Sequence, residues 1–103
     1  METITVKIDD APDIRFTGEL IGFANSLLSD ANATRWTELS LYKTVGERYI
    51  CHSMGHSRYD GEQTRYSGKV CETIDEVIAF FGHRWLSKEL YLDAGISDAI
   101  DVE

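Results

Sequence analysis

The chain has 103 residues, of which 43% are hydrophobic and 11% aromatic, and its formal net charge is -8. This length suits one domain over residues 1–103 with a single hydrophobic core, and it is too short for two. The negative charge disfavours non-specific attachment to nucleic acid or to anionic membranes, because the field of the whole molecule repels phosphates.

Charge is distributed unevenly along the chain. Residues 1–34 carry six acids against two bases, and residues 89–103 carry five acids and no base. Residues 35–69, in contrast, carry six bases against four acids. The pattern is therefore a mildly basic centre between acidic ends, and a phosphate-bearing partner would have to bind at the centre.

Neither a signal peptide nor a membrane span is indicated. The N-terminal residues lack a basic lead followed by an apolar run, and no apolar stretch approaches the roughly 20 residues of a spanning helix. Cys51 and Cys71 are too few for a secreted disulfide scaffold. We expect a cytoplasmic protein with two free thiols and no membrane attachment.

Residues 35–44 predict the central strand of a sheet. Alternate positions divide into two sides, with Thr37, Leu39 and Leu41 on one and Trp36 and Tyr42 on the other. Such a pattern is typical of a strand covered on both faces. Each side therefore needs its own covering in the folded protein.

Alternation elsewhere predicts three further strands. Residues 3–8 indicate a half-buried strand near an edge, and residues 48–56 form an antiparallel hairpin with the central strand. Residues 14–28 fit either a helix or a strand, and Gly18 and Gly22 favour a strand, in which they mark bulges or close approaches. Residues 57–68, rich in Gly and polar side chains, predict a surface loop.

The C-terminal third changes to helical periodicity. Thr73 followed by Glu76 is the signature of a capping box, and Gly82 stands where that helix would stop. A second helix is predicted over residues 84–94, and residues 96–103 form an acidic tail. The fold class is therefore α+β, with an antiparallel sheet of about four strands and two C-terminal helices packed on one face.

Cysteine and histidine residues suggest metal or nucleophilic chemistry without supporting it strongly. A zinc site could combine Cys51 or His52 with Cys71 and His83, but their spacing matches no zinc pattern. On a strand, His52 and His56 share a face at a separation too long for one metal ion. Cys51 and His52 point to opposite faces and cannot pair locally. A small metal- or cysteine-dependent enzyme is thus an alternative only, and we predict no cofactor, no metal site and no catalytic residue.

The segment 57–69 contains two Arg-Tyr pairs, Arg58-Tyr59 and Arg65-Tyr66. Tyr, Trp and Arg dominate the energetic centres of protein interfaces and also stack on bases. Together with Trp36 and Tyr42, these four residues are the predicted binding site. A direct nucleic-acid binder would instead use a set of five basic side chains: Arg35, Arg48, Arg58, Arg65 and Lys69.

Three strings resemble a group of small uncharacterised bacterial proteins carried on plasmids and other mobile elements. They are FTGEL at residues 16–20, RWTELSLYKT at 35–44 and EVIAFFG at 76–82. The resemblance implies an accessory function, such as antagonising host defence or regulating maintenance of the element.

We therefore predict a non-catalytic accessory binding protein that acts through protein–protein contact. One form of this hypothesis is an acidic inhibitor whose carboxylates imitate nucleic-acid phosphates on a basic groove of nucleic-acid-handling or defence machinery. Self-association as a homodimer is the other form of protein contact that the sequence allows.

Overall fold

The structure, a computed structural model, describes residues 2–102. Five antiparallel strands lie in the sheet in chain order, so that each strand pairs with its sequence neighbours. The elements are β1 (Glu2–Val6), β2 (Ile14–Asn25), β3 (Arg35–Thr44), β4 (Tyr49–Ser57), β5 (Arg65–Cys71), α1 (Ile74–Phe81) and α2 (Trp85–Ala94). The predicted α+β class, with β3 at the centre and two C-terminal helices on one face, is confirmed.

The strand count of about four was one too low. Residues 65–68, assigned to the surface loop, belong to β5, which pairs with β4 in continuous register from Tyr49 opposite Cys71 to Gly55 opposite Arg65. Most β5 side chains are exposed because the strand lies at the edge of the sheet. An edge strand is held by backbone hydrogen bonds and does not need alternating apolar side chains.

The glycines of β2 do what the sequence predicted. The β2–β3 register shifts between Leu20 and Gly22, which is a bulge. A Cβ atom on Gly18 would lie 2.9 Å from Thr44 Cα, so Gly18 marks a close approach. The strand ends three residues earlier than predicted, because the Asn25 side chain accepts a hydrogen bond from Leu27 N–H and starts a short 3-10 turn.

Both helices lie where the sequence predicted them, and α1 has the predicted end signals. Thr73 and Glu76 form the complete capping box of α1, and Gly82 follows its last residue. In α2, Arg84 is the N-cap residue, and Gly95 ends the helix with φ at 73°. That left-handed conformation is readily adopted by glycine and rarely by other residues.

The main core lies between the sheet and the helices. Val77 of α1 and Leu90 of α2 are fully buried there, and each contributes about 1.5–3 kcal/mol through removal of its side chain from water. The other buried residues of this core come from the four strands β2 to β5 and from α2: Ala24, Leu39, Leu41, Cys51, Cys71, Leu86 and Tyr91.

The opposite face is covered by the sheet itself, which curls. After β1 the chain crosses to the far edge, where Asp9 N–H donates to Tyr66 O at 3.0 Å. Ile8 lies against Gly68 so closely that a Cβ there would be 2.6 Å from Ile8 Cδ1. Val6 and Ile50 are buried on this face without contribution from the helices.

Neither of the two helices has the length and apolar character that crossing a membrane requires, within the residues that the structure describes.

Candidate docking cleft

An open cleft of about 940 Å³ lies at the end of the sheet where β3 begins and β4 ends. The loop that connects β4 to β5 and the turn that follows β1 form its rims. Its charged and aromatic lining residues are Asp9, Asp10, Arg35, Trp36, His56, Glu62 and Arg65. The walls therefore combine three carboxylates, two guanidinium groups and two aromatic rings.

The β4–β5 loop is shaped by short-range hydrogen bonds. Ser57 Oγ accepts from Tyr59 N–H at 3.1 Å and donates to the Glu62 carboxylate, and Glu62 N–H donates to Tyr59 O at 3.2 Å. Gly61 has φ at 84°, a value that favours glycine in such a turn. The sequence of polar residues and glycine thus folds locally into a defined loop.

Arg35 fixes the loop to the start of β3. Its Nε and Nη2 atoms donate to the two Glu62 carboxylate oxygens at 3.2 and 2.9 Å, and its guanidinium carbon is 5.0 Å from the centre of the Tyr59 ring. The hydrogen bond from Arg35, followed by the one from Ser57, holds the pKa of Glu62 below its ordinary value. This two-point geometry orients both side chains.

Stacked side chains connect the wall of the cleft, to which Trp36 and His56 belong, with Arg58 of the β4–β5 loop. The Arg58 guanidinium lies over the Trp36 ring at 5.0 Å, and Trp36 stacks on His56 with ring centres 5.1 Å apart. Arg58 Nε also donates to Ala33 O at 2.9 Å, so this arginine is held in place. Part of the covering that this side of β3 was predicted to need is therefore supplied to Trp36 by Arg58 of the β4–β5 loop.

His56 has an unusual polar environment. Its Nε2 atom lies 3.1 Å from Glu38 Oε2, a distance suited to an ion pair when the imidazole is protonated. The atoms are not aligned as a hydrogen bond, and this nitrogen, which is shielded from solvent, makes none within the described part of the chain. Glu38 Oε1 is occupied by Asn25 Nδ2 at 3.2 Å.

Four of the six predicted binding residues come together at this cleft. Trp36 and Arg65 line it, and Arg58 and Tyr59 stand on its loop rim. Tyr66 lies outside the lining, where it packs between Lys7 and His52.

Tyr42 lies at the other end of β3, away from the cleft. Its ring meets Phe16 edge-on at 5.2 Å, so β2 supplies its covering. Trp36 and Tyr42 share a face of β3 as predicted, but they do not form one site.

The five bases of the nucleic-acid alternative are not assembled into one patch. Arg35, Arg58 and Arg65 are at the cleft, whereas Arg48 lies at the opposite end of β4 and pairs with Glu72 at 3.6 Å. Lys69 stands on β5 opposite Cys51.

The residues considered for metal or cysteine chemistry also separate. Cys51 and Cys71 meet in the main core, His52 faces the other side of the sheet with its Nε2 2.7 Å from Lys7 O, and His83 Nδ1 is 2.8 Å from Asp98 Oδ2. Between residues 2 and 102, no three His, Cys, Asp or Glu side chains are grouped so that they could hold a metal ion.

Sequence reasoning missed the acidic and histidine components of the cleft. Alternation along β4 gave the face on which His56 lies, but nothing in the sequence linked it to Trp36. Arg35 and Glu62 are 27 positions apart and are joined only through the β3–β4–β5 register, which includes the unpredicted strand. Asp9 and Asp10 reach the cleft only because the sheet curls.

Comparisons with protein-family models, with curated proteins and with solved structures found no match to this chain.

Proposed function

We propose that this chain is a non-catalytic binding protein that docks another protein at the cleft between β3, β4 and the β4–β5 loop. The observation that carries the proposal is the cleft rim, where Tyr59 is 52% exposed with the Arg35 guanidinium over its ring, next to a cleft that Trp36 and Arg65 line. Tyr and Arg are among the residues that contribute most of the binding energy at protein interfaces.

The mixture of charges favours a protein partner over nucleic acid. Glu62 already neutralises Arg35, and Asp9 and Asp10 would face any phosphate backbone placed in the cleft. Alternating positive and negative groups, in contrast, complement the mixed charges of a protein surface. Direct nucleic-acid binding is therefore the second candidate. If the resemblance to mobile-element proteins holds, the protein partner would belong to host defence or to maintenance of the element.

The rim residues are the ones to change. Affinity capture from a lysate of the source cells would compare the wild type with Tyr59→Ala/Arg65→Ala, which removes two exposed side chains outside the main core. A matched control is Val45→Ala/Arg48→Ala, which removes one apolar and one basic exposed side chain at the opposite end of the sheet.

We expect a captured protein to bind the control as it binds the wild type and to bind the rim variant roughly 30-fold or more weakly. A partner that is equally bound by both variants would place the interface elsewhere. Failure to enrich any protein, together with a monomeric mass in light scattering at all concentrations, would contradict the proposal. A concentration-dependent dimer broken by the rim change would identify a second copy as the partner.

Nucleic acid is tested separately by salt dependence. A direct binder releases counterions in proportion to the phosphates it contacts, so its affinity falls steeply as salt rises. Binding of DNA or RNA at moderate salt that weakens in Arg65→Ala would favour the second candidate over the first. Absence of binding under those conditions would remove it.

The acidic-inhibitor form of the hypothesis makes a kinetic prediction. With a net charge of -8, association with a basic partner would be accelerated at low salt by long-range attraction. A captured partner whose association rate does not change with ionic strength would exclude this form while leaving protein docking intact.

A further inference from the structure

Cys51 and Cys71 form a pair in the main core. Cys51 lies on β4 and Cys71 is the last residue of β5, and in the register Cys51 stands opposite Lys69 while Cys71 stands opposite Tyr49. Diagonal positions of this kind share a face of the sheet. The two Sγ atoms are 3.6 Å apart, which is van der Waals contact, and both residues are fully buried.

The surroundings restrict what this pair can do. Its neighbours in the core are apolar, and the described chain, residues 2–102, supplies no third ligand that could complete a metal site with the two sulfurs. Chemistry that needs only two thiols is the formation of a bond between them. The sulfurs, already in contact at 3.6 Å, have to close to the roughly 2.05 Å of a disulfide, and the two strands have to adjust so that their Cβ atoms follow.

We propose that Cys51 and Cys71 are a site of reversible oxidative modification, at which a hydroperoxide converts the pair into an intramolecular disulfide. One thiol attacks the peroxide O–O bond, becomes a sulfenic acid and releases water, in the case of hydrogen peroxide. The second sulfur then displaces the sulfenyl oxygen, so that the S–S bond forms, the S–O bond breaks and a second water leaves. Two thiol hydrogens and one peroxide thus become two waters, and a small thiol reductant reverses the change.

Burial sets the order of these steps. Desolvation and the neighbouring sulfur raise the pKa of Cys51, so the closed protein holds an unreactive thiol and the first step requires local opening. The cover consists of α1, a helix of eight residues with Val77 fully buried, and of α2, which contributes Leu86, Leu90 and Tyr91 to the same core. Once one sulfur is oxidised, the other is already in contact. We therefore expect the disulfide to form without accumulation of a singly oxidised species.

The experiment uses the full chain, reduced and then incubated with hydrogen peroxide under native conditions. We expect a monomer whose mass falls by about 2 Da, the two hydrogens lost on disulfide formation. Trypsin would release one linked pair, residues 49–58 joined to residues 70–84, because Arg48, Arg58, Lys69 and Arg84 flank the two cysteines. Dithiothreitol would separate the two peptides.

The control variant is Cys71→Ala, in which Cys51 has no partner and the 2 Da loss cannot occur. Two free thiols in the wild type after prolonged incubation would overturn the proposal. Sulfinic acids or disulfide-linked dimers as the main products would overturn it as well, because either result means that the second sulfur does not reach the first.

A second measurement tests the geometry without depending on access. The bond is formed in urea, where both thiols are exposed, and the chain is then refolded by dilution. Because the bridge closes residues 20 positions apart, we expect the native circular dichroism spectrum and a Tm higher by roughly 10 °C. A bridged chain that fails to refold, or that melts below the reduced form, would show that the native pair cannot accept the bond.

Discussion

Gly22 is the residue at which the sheet and α2 come closest. A Cβ atom there would lie 2.7 Å from Ala94 Cβ and 3.2 Å from Leu90 Cδ1. We predict that Gly22→Ala lowers the free energy of unfolding by about 1–3 kcal/mol, because α2 would have to move away from β2. Urea unfolding followed by circular dichroism measures the change.

Gly55 provides the matched control for this substitution. It also lies within a strand, but the nearest atom to an added Cβ is Arg65 Cβ at 3.9 Å, an ordinary contact. We expect Gly55→Ala to change stability by less than about 0.5 kcal/mol in either direction. Equal losses at the two positions would mean that close packing of α2 does not require glycine.

Tyr91 links stability to alkaline pH. Its ring is in the main core, its hydroxyl donates to Gly82 O at 2.7 Å, and burial, followed by the charge of Asp98, raises its pKa to about 12. The unfolded value is near 10, so the folded state resists deprotonation. The resulting stabilisation is complete below pH 10 and is lost as pH rises from 10 through 12.

Tyr91→Phe should therefore remove a pH-dependent contribution. At pH 7 we expect a loss of about 1 kcal/mol from the missing hydrogen bond. The wild type should lose this advantage in free energy of unfolding as pH rises, and the variant should become the more stable protein as pH approaches 12. Urea unfolding at a series of pH values measures both. A difference that stays constant over this range would show that the Tyr91 hydroxyl titrates normally.

At the scale of elements, α1 depends on its first turn. Thr73 Oγ1 accepts from Glu76 N–H at 3.2 Å, and the Glu76 carboxylate accepts from the backbone N–H groups of Glu72 and Thr73. We predict that Thr73→Ala costs about 1 kcal/mol of stability. Because each of the two side chains accepts from the other residue's backbone N–H and both bonds need the same first turn, Thr73→Ala/Glu76→Ala should cost less than the sum of the single changes. Strict additivity in a double-mutant cycle would mean that the capping box is not a unit.

The helices and strands also show which parts of the fold can be predicted from the sequence. The ends of α1 were predicted at residues 73 and 82 because its capping and stop signals are local. β2 was predicted as a strand because Gly18 and Gly22 would destabilise a helix. β5 was missed because its edge position leaves Ser67, Lys69 and Val70 exposed, so that the segment shows no apolar alternation. Its pairing with β4 is visible only in the register of the folded sheet.

The cleft was partly predictable, because some of its features are local in the sequence and others exist only in the folded protein. Arg58, Tyr59 and Trp36 attracted notice by residue type, which is a local property. Their contacts with one another depend on how the β4–β5 loop folds back over β3, and the Arg35–Glu62 pair depends on strands that meet only in the folded protein. Tyr42 has the same residue type but is taken up by packing against Phe16.

At the scale of the molecule, the acidic tail is partly integrated into the fold. Ile96 packs against the main core, and Asp98 Oδ2 is 2.8 Å from His83 Nδ1 and 3.5 Å from Lys88 Nζ. The hydrogen bond from His83 holds the pKa of Asp98 below its ordinary value. The tail therefore contributes a fixed contact as well as negative charge, whereas Ile100 and Val102 remain exposed.

The curl of the sheet is fastened by the segment after β1, and this contact can be tested residue by residue. Tyr66 N–H donates to Asp9 Oδ2 at 2.8 Å, while Asp9 N–H donates to Tyr66 O. We predict that Asp9→Ala increases the hydrogen-exchange rate of the Tyr66 amide at least tenfold, because its acceptor is lost at an edge that is otherwise open to water. Asp9→Asn keeps an acceptor oxygen and should retain most of the protection, and Asp10→Ala, an exposed neighbour, should not affect it. Unchanged exchange of the Tyr66 amide in Asp9→Ala would mean that the Asp9 carboxylate does not protect this edge, and that the curl is held by the other contacts of the segment, among them Ile8 on Gly68 and Lys7 O with His52 Nε2.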